Sequence, residues 1–216
     1  MDPTEPVVDK SALIDQLAQT AANCPACGLC QTRTHVVFGV GNPGSPLMLV
    51  GEGPGANEDA TGVPFVGRAG KLLDECLREA GMLRKHVYIA NVVKCRATTI
   101  ENGRLGNRPP SPEEIDACVP LWLEKQIAII KPRVILCLGS PSAKTIIKKD
   151  FRIMQERGRW FESKYVRHAI AALHPAYILR QEGPGYASAR QSLVDDLTAA
   201  KDRAKQAKDE PELTLF

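Results

Sequence analysis

The sequence predicts a three-layer α/β/α sandwich around a central, mostly parallel sheet, and three observations predict it. Leu47-Met48-Leu49-Val50, Val87 to Val93, Val134 to Leu138 and His168 to Leu173 are short apolar runs with the length of buried strands. Segments of helical periodicity separate them, so strands alternate with helices. At 216 residues, 44% hydrophobic and 25% charged, the chain can bury one substantial core without disulfides.

Leu13, Ile14, Leu17, Ala18 and Ala21 recur at helical spacing, which predicts an amphipathic helix from Ser11 to Ala22 leading to Cys24. The first strand ends in the loop Gly51 to Asp59, which carries Pro54 and three carboxylates, Glu52, Glu58 and Asp59. Its glycines permit positive φ and close approach of backbone N–H groups to a ligand, while Pro54 fixes one φ. Open α/β sheets bind ligands outside the carboxyl ends of their strands, where this loop falls. A tight turn with solvated acids is the plainer reading. No Gly-Lys-Ser/Thr follows, and the glycine spacing does not match the dinucleotide fingerprint.

Gly67 to Gly81 reads as a helix with Leu72, Leu73, Cys76 and Leu77 on one face and Gly81 ending it. Arg96 to Pro110 is polar, with two glycines and no period, and reads as a long loop. Ser111-Pro112-Glu113-Glu114 supplies an N-cap, a proline at the first helical position and a capping-box glutamate, starting the helix that carries Cys118. Gly139-Ser140-Pro141-Ser142 opens another helix, and the fourth strand leads into His174 to Arg180. A last amphipathic helix runs from Ala187 to Ala204, with Leu193, Val194, Leu197 and Ala200 inward. One domain over 1–205 and a tail over 206–216 are expected.

A formal charge of +3 neither indicates nor excludes nucleic acid. No run approaches the roughly 20 apolar residues of a membrane span. The start MDPTEPVVDK lacks a basic and apolar signal segment. A soluble intracellular protein is expected, in which the seven cysteines stay reduced. Cys24-Pro25-Ala26-Cys27 has the spacing that lets two thiolates share a metal centre, and Cys95 and Cys118 lie beside element ends. Four such thiolates suit zinc or a [4Fe–4S] cluster, and spacing does not separate the two. Cys27-Gly28-Leu29-Cys30 is a second such pair, so Cys30 could replace Cys24. Cys76 and Cys137, on apolar faces, read as small buried hydrophobes.

From Cys24 to about Leu197 the chain resembles the family 4 uracil-DNA glycosylases, the iron–sulfur branch of their superfamily. The resemblance rests on an ordered set of motifs. These are Cys24-x-x-Cys27 with Arg33-Thr34 and Val37-Phe38-Gly39, then Gly51 to Asp59, then Gly62-Val63-Pro64-Phe65-Val66-Gly67. Asn91-Val92-Val93-Lys94-Cys95, Pro112-Glu113-Glu114 before Cys118, and His174 to Arg180 follow. The resemblance implies that Cys24, Cys27, Cys95 and Cys118 hold a structural [4Fe–4S] cluster, with Cys30 spare. The family commonly has a short Pro-rich link after the third cysteine, whereas Arg96 to Asn107 is longer and polar.

The implied reaction is hydrolysis of the N-glycosidic bond of deoxyuridine in single- or double-stranded DNA, leaving an abasic site. The base must be extruded first, which costs a few kcal/mol. Phe65 would stack on the uracil and Asn91 would bond its polar edge, with thymine rejected by crowding at its methyl group. Glu52 and Gly53 would shape the pocket. His174 would donate a hydrogen bond to uracil O2 as negative charge develops there. Glu58 would position water or stabilise the cationic sugar. Within Tyr177-Ile178-Leu179-Arg180, Leu179 would wedge into the gap and Arg180 would meet a phosphate.

The tail Glu212-Leu213-Thr214-Leu215-Phe216 resembles the short Leu-x-Leu-Phe peptides that dock on the bacterial sliding clamp. The resemblance points to a cytoplasmic, nucleoid-associated prokaryotic monomer. The related family that uses a histidine in an inserted loop does not fit, because Arg96 to Asn107 contains no histidine. The competing reading is a non-catalytic iron–sulfur or zinc DNA-binding module of the same fold. A redox carrier fits least, since the resemblance gives the cluster no electron partner.

Overall fold

A computed structural model of the protein describes residues 9–101 and 103–210. Its strands are β1 (Val40–Gly41), β2 (Leu47–Gly51), β3 (Tyr88–Asn91), β4 (Thr98–Glu101), β5 (Arg104–Asn107), β6 (Val134–Leu138), β7 (Trp160–Phe161) and β8 (His168–Ala172). Its helices are α1 (Lys10–Ala21), α2 (Ala56–Thr61), α3 (Arg68–Glu79), α4 (Pro112–Cys118), α5 (Glu124–Ile130), α6 (Ser140–Ile146), α7 (Ile153–Glu156), α8 (Pro175–Ile178) and α9 (Gly183–Gln206). None is long and apolar enough to cross a membrane.

One sheet runs in the order β1-β3-β2-β6-β8-β7, parallel through its four central strands and antiparallel at both edges. Every residue of β2, β3 and β6 is buried, which is why these strands read as unbroken apolar runs. Alternate side chains divide the core. Met48, Val50, Ile135, Cys137 and Ala171 meet Ile14, Trp122, Ile127 and Ala143 on one face. Leu47, Leu49, Ile89, Leu136 and Ile170 meet Leu72, Leu73, Cys76, Leu193 and Leu197 on the other. The three layers follow, and Cys76 and Cys137 are buried as expected.

Three expectations need correction. The segment after Cys95 is not a structureless loop, because β4 and β5 pair as an antiparallel hairpin with Ile100 opposite Leu105 and Gly103 at φ +72°. The strand expected over Val87 to Val93 is the shorter β3, although the N–H groups of Val92 and Val93 bond the carbonyls of Gly51 and Glu52. The last helix begins earlier, at Gly183, with Pro184 in its first turn, where a missing N–H costs nothing. The expected start of α4 is present: Ser111 Oγ accepts from Glu114 N, and Glu114 Oε2 accepts from Ser111 N.

A π-helical turn over Val119–Leu123 joins α4 to α5 at Pro120, which lacks the N–H a regular ladder would use. Chain order places β2 between strands reached in opposite directions, and at such a switch point the carboxyl ends of an open sheet leave a crevice. Gly51 and Asn91 end their strands side by side there.

Candidate active site

Glu52, Gly53, Glu58, Phe65, Asn91 and His174 all line one open cavity of about 530 Å3. Its floor is set by glycine at position 51. A Cβ there would lie 2.3 Å from Asn91 Oδ1 and 2.6 Å from Phe65 Cζ, so only a bare backbone lets both side chains close over the strand end. Asn91 is 1% exposed, and its Oδ1 is buried without a hydrogen-bond partner. Such an unmet acceptor marks a place for a donor from a ligand.

Phe65 has φ +55°, a left-handed backbone unfavourable for an aromatic residue. Its surroundings hold it there. Glu58 Oε1 accepts from the N–H groups of Val66 and Gly67, both at 2.9 Å. Arg84 donates to the carbonyls of Pro64, at 2.9 Å, and Phe65, and its Nε pairs with Asp74 at 2.6 Å. A Cβ at Gly70 would lie 1.7 Å from Phe65 O. The Phe65 ring, fixed in this way, lies 5.8 Å from the His174 ring, centroid to centroid.

The three carboxylates of the loop have separate surroundings. Glu58 Oε2 accepts from Gly55 N at 3.1 Å, so both of its oxygens bond backbone. Asp59 is buried away from the cavity, where its Oδ1 accepts from Thr34 N at 2.9 Å. Glu52 lines the cavity with no hydrogen bond to its carboxylate among the described residues, and burial raises its pKa above the ordinary value.

His174 caps α8: its Nδ1 accepts from Ala176 N at 3.0 Å. The proton of the neutral ring is therefore on Nε2, leaving a donor. Burial, reinforced by Arg180 and opposed by Glu58, lowers the pKa to about 4, so the ring is neutral at pH 7. Gly139, at φ +93°, lets β6 end against it, since a Cβ would lie 3.0 Å from His174 Cβ.

Cys24, Cys27, Cys95 and Cys118 line a second, small cavity with Arg33 and Lys94. Arg33 Nη1 donates to Cys95 Sγ at 3.5 Å, and Lys94 N to Cys118 Sγ at 3.4 Å. Cys30 is not in the lining. Among the described residues no three metal-ligating side chains converge on a point that could hold a metal ion. A zinc ion would draw four sulfurs to within ~4 Å of one another. Four cysteine sulfurs lining one cavity are a donor set that either zinc or an iron–sulfur cluster takes.

The uracil DNA glycosylase superfamily model matches residues 38–198. A type-4 uracil-DNA glycosylase of Thermotoga maritima is 41% identical over 201 residues, 91% of this chain and 97% of the relative. One of Archaeoglobus fulgidus is 40% identical over 174 residues, 77% of this chain and 83% of the relative. The chain belongs to the type-4 uracil-DNA glycosylase family.

Leu179 and Arg180, expected as DNA contacts, fall outside the cavity lining. Ile178 is fully buried, Leu179 is half-buried against the core, and Arg180 is exposed. Leu213 to Phe216, with the clamp-like motif, lie outside the described residues.

Sequence reading missed Arg84, which braces Phe65 from outside the cavity, and Ala97, Asn107 and Arg108, which form part of the cavity wall. Asn102-Gly103 is the dipeptide signal for a two-residue hairpin turn and could have revealed the wall. Arg84 left no signal, because its partners are 10 to 20 residues away.

Proposed function

We propose that this protein hydrolyses the N-glycosidic bond of deoxyuridine in DNA, in base-excision repair, releasing uracil and leaving an abasic site. The observation that carries the reading is the unmet acceptor Asn91 Oδ1 in the same cavity as a neutral His174. Uracil offers a complementary edge: its N3–H would meet Asn91 Oδ1, its O4 the Asn91 amide N–H, and its O2 the N–H of His174 Nε2. Phe65 would stack on the base face, and Gly53 with Glu52 would close the pocket around it.

As the N1–C1′ bond breaks, its electron pair passes to the uracil ring and positive charge develops on the sugar. A preorganised donor at O2 stabilises that negative charge, and a ring already neutral does so without giving up a proton. Glu58, held by three backbone N–H groups, keeps a fixed negative charge at the wall to stabilise the cationic sugar. Water then bonds C1′ and loses a proton to solvent, and the uracil anion takes one up from solvent as it leaves. Leu179 and Arg180 would follow the DNA beside the cavity, and the tail would dock on a sliding clamp.

Cys24, Cys27, Cys95 and Cys118 would hold a [4Fe–4S] cluster, whose negative charge Arg33 and Lys94 would offset. The cluster supplies a structural cross-link. Fixing the segment that carries Cys24 and Cys27 to the sheet is the work of these four side chains.

The test is incubation with a labelled single-stranded oligonucleotide containing one uracil, followed by alkali. Scission at the uracil is expected, and His174→Ala should slow it about 10²–10³-fold. Intact protein that binds DNA but excises nothing, on single strands or duplex, would favour a non-catalytic binding module.

A further inference from the structure

We propose that the β4–β5 hairpin is a second DNA-contact element, which lays Ile100 and Leu105 against nucleotides flanking the base held in the cavity. This rests on the proposed function above. The hairpin grows from the cavity wall, to which Ala97, Asn107 and Arg108 belong. Its base is rigid: Arg108 grips Glu114 through two bonds of 2.8 and 2.6 Å and bonds Thr98 O through Nε. Arg96 Nε also donates to Asn107 Oδ1 across the strand ends at 2.7 Å.

From that base the strands extend about 13 Å. Stacked nucleotides rise roughly 3.4 Å each, so the hairpin spans about four of them. A strand that presents a base to this cavity meets the hairpin base as part of the cavity wall.

The exposed chemistry suits that occupant. Ile100 is 72% exposed and Leu105 47%, they face each other across the ladder, and neither belongs to a core cluster. Directly opposed residues share one face of a hairpin, so the two form a single apolar patch. Leaving it in water sacrifices burial that a base could supply. Residues 96–107 carry Arg96 and Arg104 against Glu101, two positive charges to one negative, while the charge of Arg108 is met by Glu114. Apolar side chains for bases with arginines for phosphates are what contact with unpaired or distorted DNA requires.

The experiment compares wild type with the double variant Ile100→Thr/Leu105→Thr, which keeps β propensity. Fluorescence anisotropy with uracil-free single-stranded DNA reads binding independently of catalysis. Excision is read on long uracil-containing strands and on a trinucleotide with central uracil. The double variant should bind DNA about tenfold more weakly and show a similarly raised KM on long strands. On the trinucleotide it should match wild type, with an unchanged unfolding midpoint.

Unchanged binding and KM on long strands would overturn the proposal while leaving the glycosylase reading intact. So would equal losses on trinucleotide and long strands, or a wild-type dimer that the variant converts to monomer, since the patch would then be a contact between copies. Wild type that binds but never excises would overturn the glycosylase reading instead, and weaker binding by the variant would still support the hairpin contact.

Discussion

Asn91 lines the cavity of about 530 Å3, and Cys95, further along the same segment, lines the cysteine cavity. The walls of the first come mainly from strand ends and the loops that follow them. Their positions are enforced by close packing at Gly51 and Gly70 and by bonds from Glu58 and Arg84 to the backbone. The cysteine cavity joins the 24–33 segment, the hairpin base and the end of α4; Cys118 and Trp122 belong to the main core, whereas Leu29, Cys95 and Ala97 form a separate small cluster. So small a cluster buries little surface to order those segments. The first cavity therefore takes its rigidity from the sheet, whereas the proposed cluster would supply a cross-link to the segments around the second.

Lys94 lies between them, fully buried. It donates to Asn91 O at 2.7 Å and Gln126 Oε1 at 2.6 Å, while its backbone N–H meets Cys118.

The largest expected effect tests that difference directly. If the proposed cluster is bound, Cys118→Ser should remove its visible absorbance and lower the unfolding midpoint by about 10 °C or more, because metal binding there would contribute folding free energy. His174→Ala, which removes the cap of the short α8, should lower the midpoint less, by about 2–4 °C. A cysteine variant as heat-stable as wild type would mean that the small cluster suffices, and the contrast between the cavities would fail.

A smaller effect sharpens the account of the first cavity. Arg84→Met removes the charged donor to the Pro64 and Phe65 carbonyls, and should lower kcat/KM about tenfold, mainly through KM. Steady-state kinetics of Arg84→Met, Phe65→Ala and the double variant would check it. If Arg84 acts through Phe65, the two losses are not additive; fully additive losses would assign Arg84 a separate role.

The smallest effect is an absence of change. With its pKa lowered to about 4, His174 is neutral throughout the range in which an ordinary histidine titrates, and lowering pH adds a proton to it only near 4. The kcat/KM profile should therefore be flat from pH 8 through 6.5. Glu52, with its pKa raised by burial, regains its proton above the ordinary carboxylate value, so an acid limb there should disappear in Glu52→Gln. A limb centred near 6.5 would show that the His174 environment is wetter than its packing implies.

The sequence by itself determined the central strands, the helix that Ser111 starts, the burial of Cys76 and Cys137 and the family motifs that converge on the cavity. Those signals are local: a strand, a cap or an amphipathic face is written in residues a few positions apart. The edge strands β1 and β7, two residues each, were too short for a periodic pattern, and β4 and β5 each carry one large apolar residue. Tertiary structure alone decided that Glu58 bonds three backbone N–H groups, that Asn91 Oδ1 stays unmet and that His174 presents Nε2 as its donor. It also decided that Phe65 is held at positive φ by an arginine and a glycine from α3 and the turn beyond it. Each depends on close approach of groups from separate elements, and such distances are fixed only when the core packs.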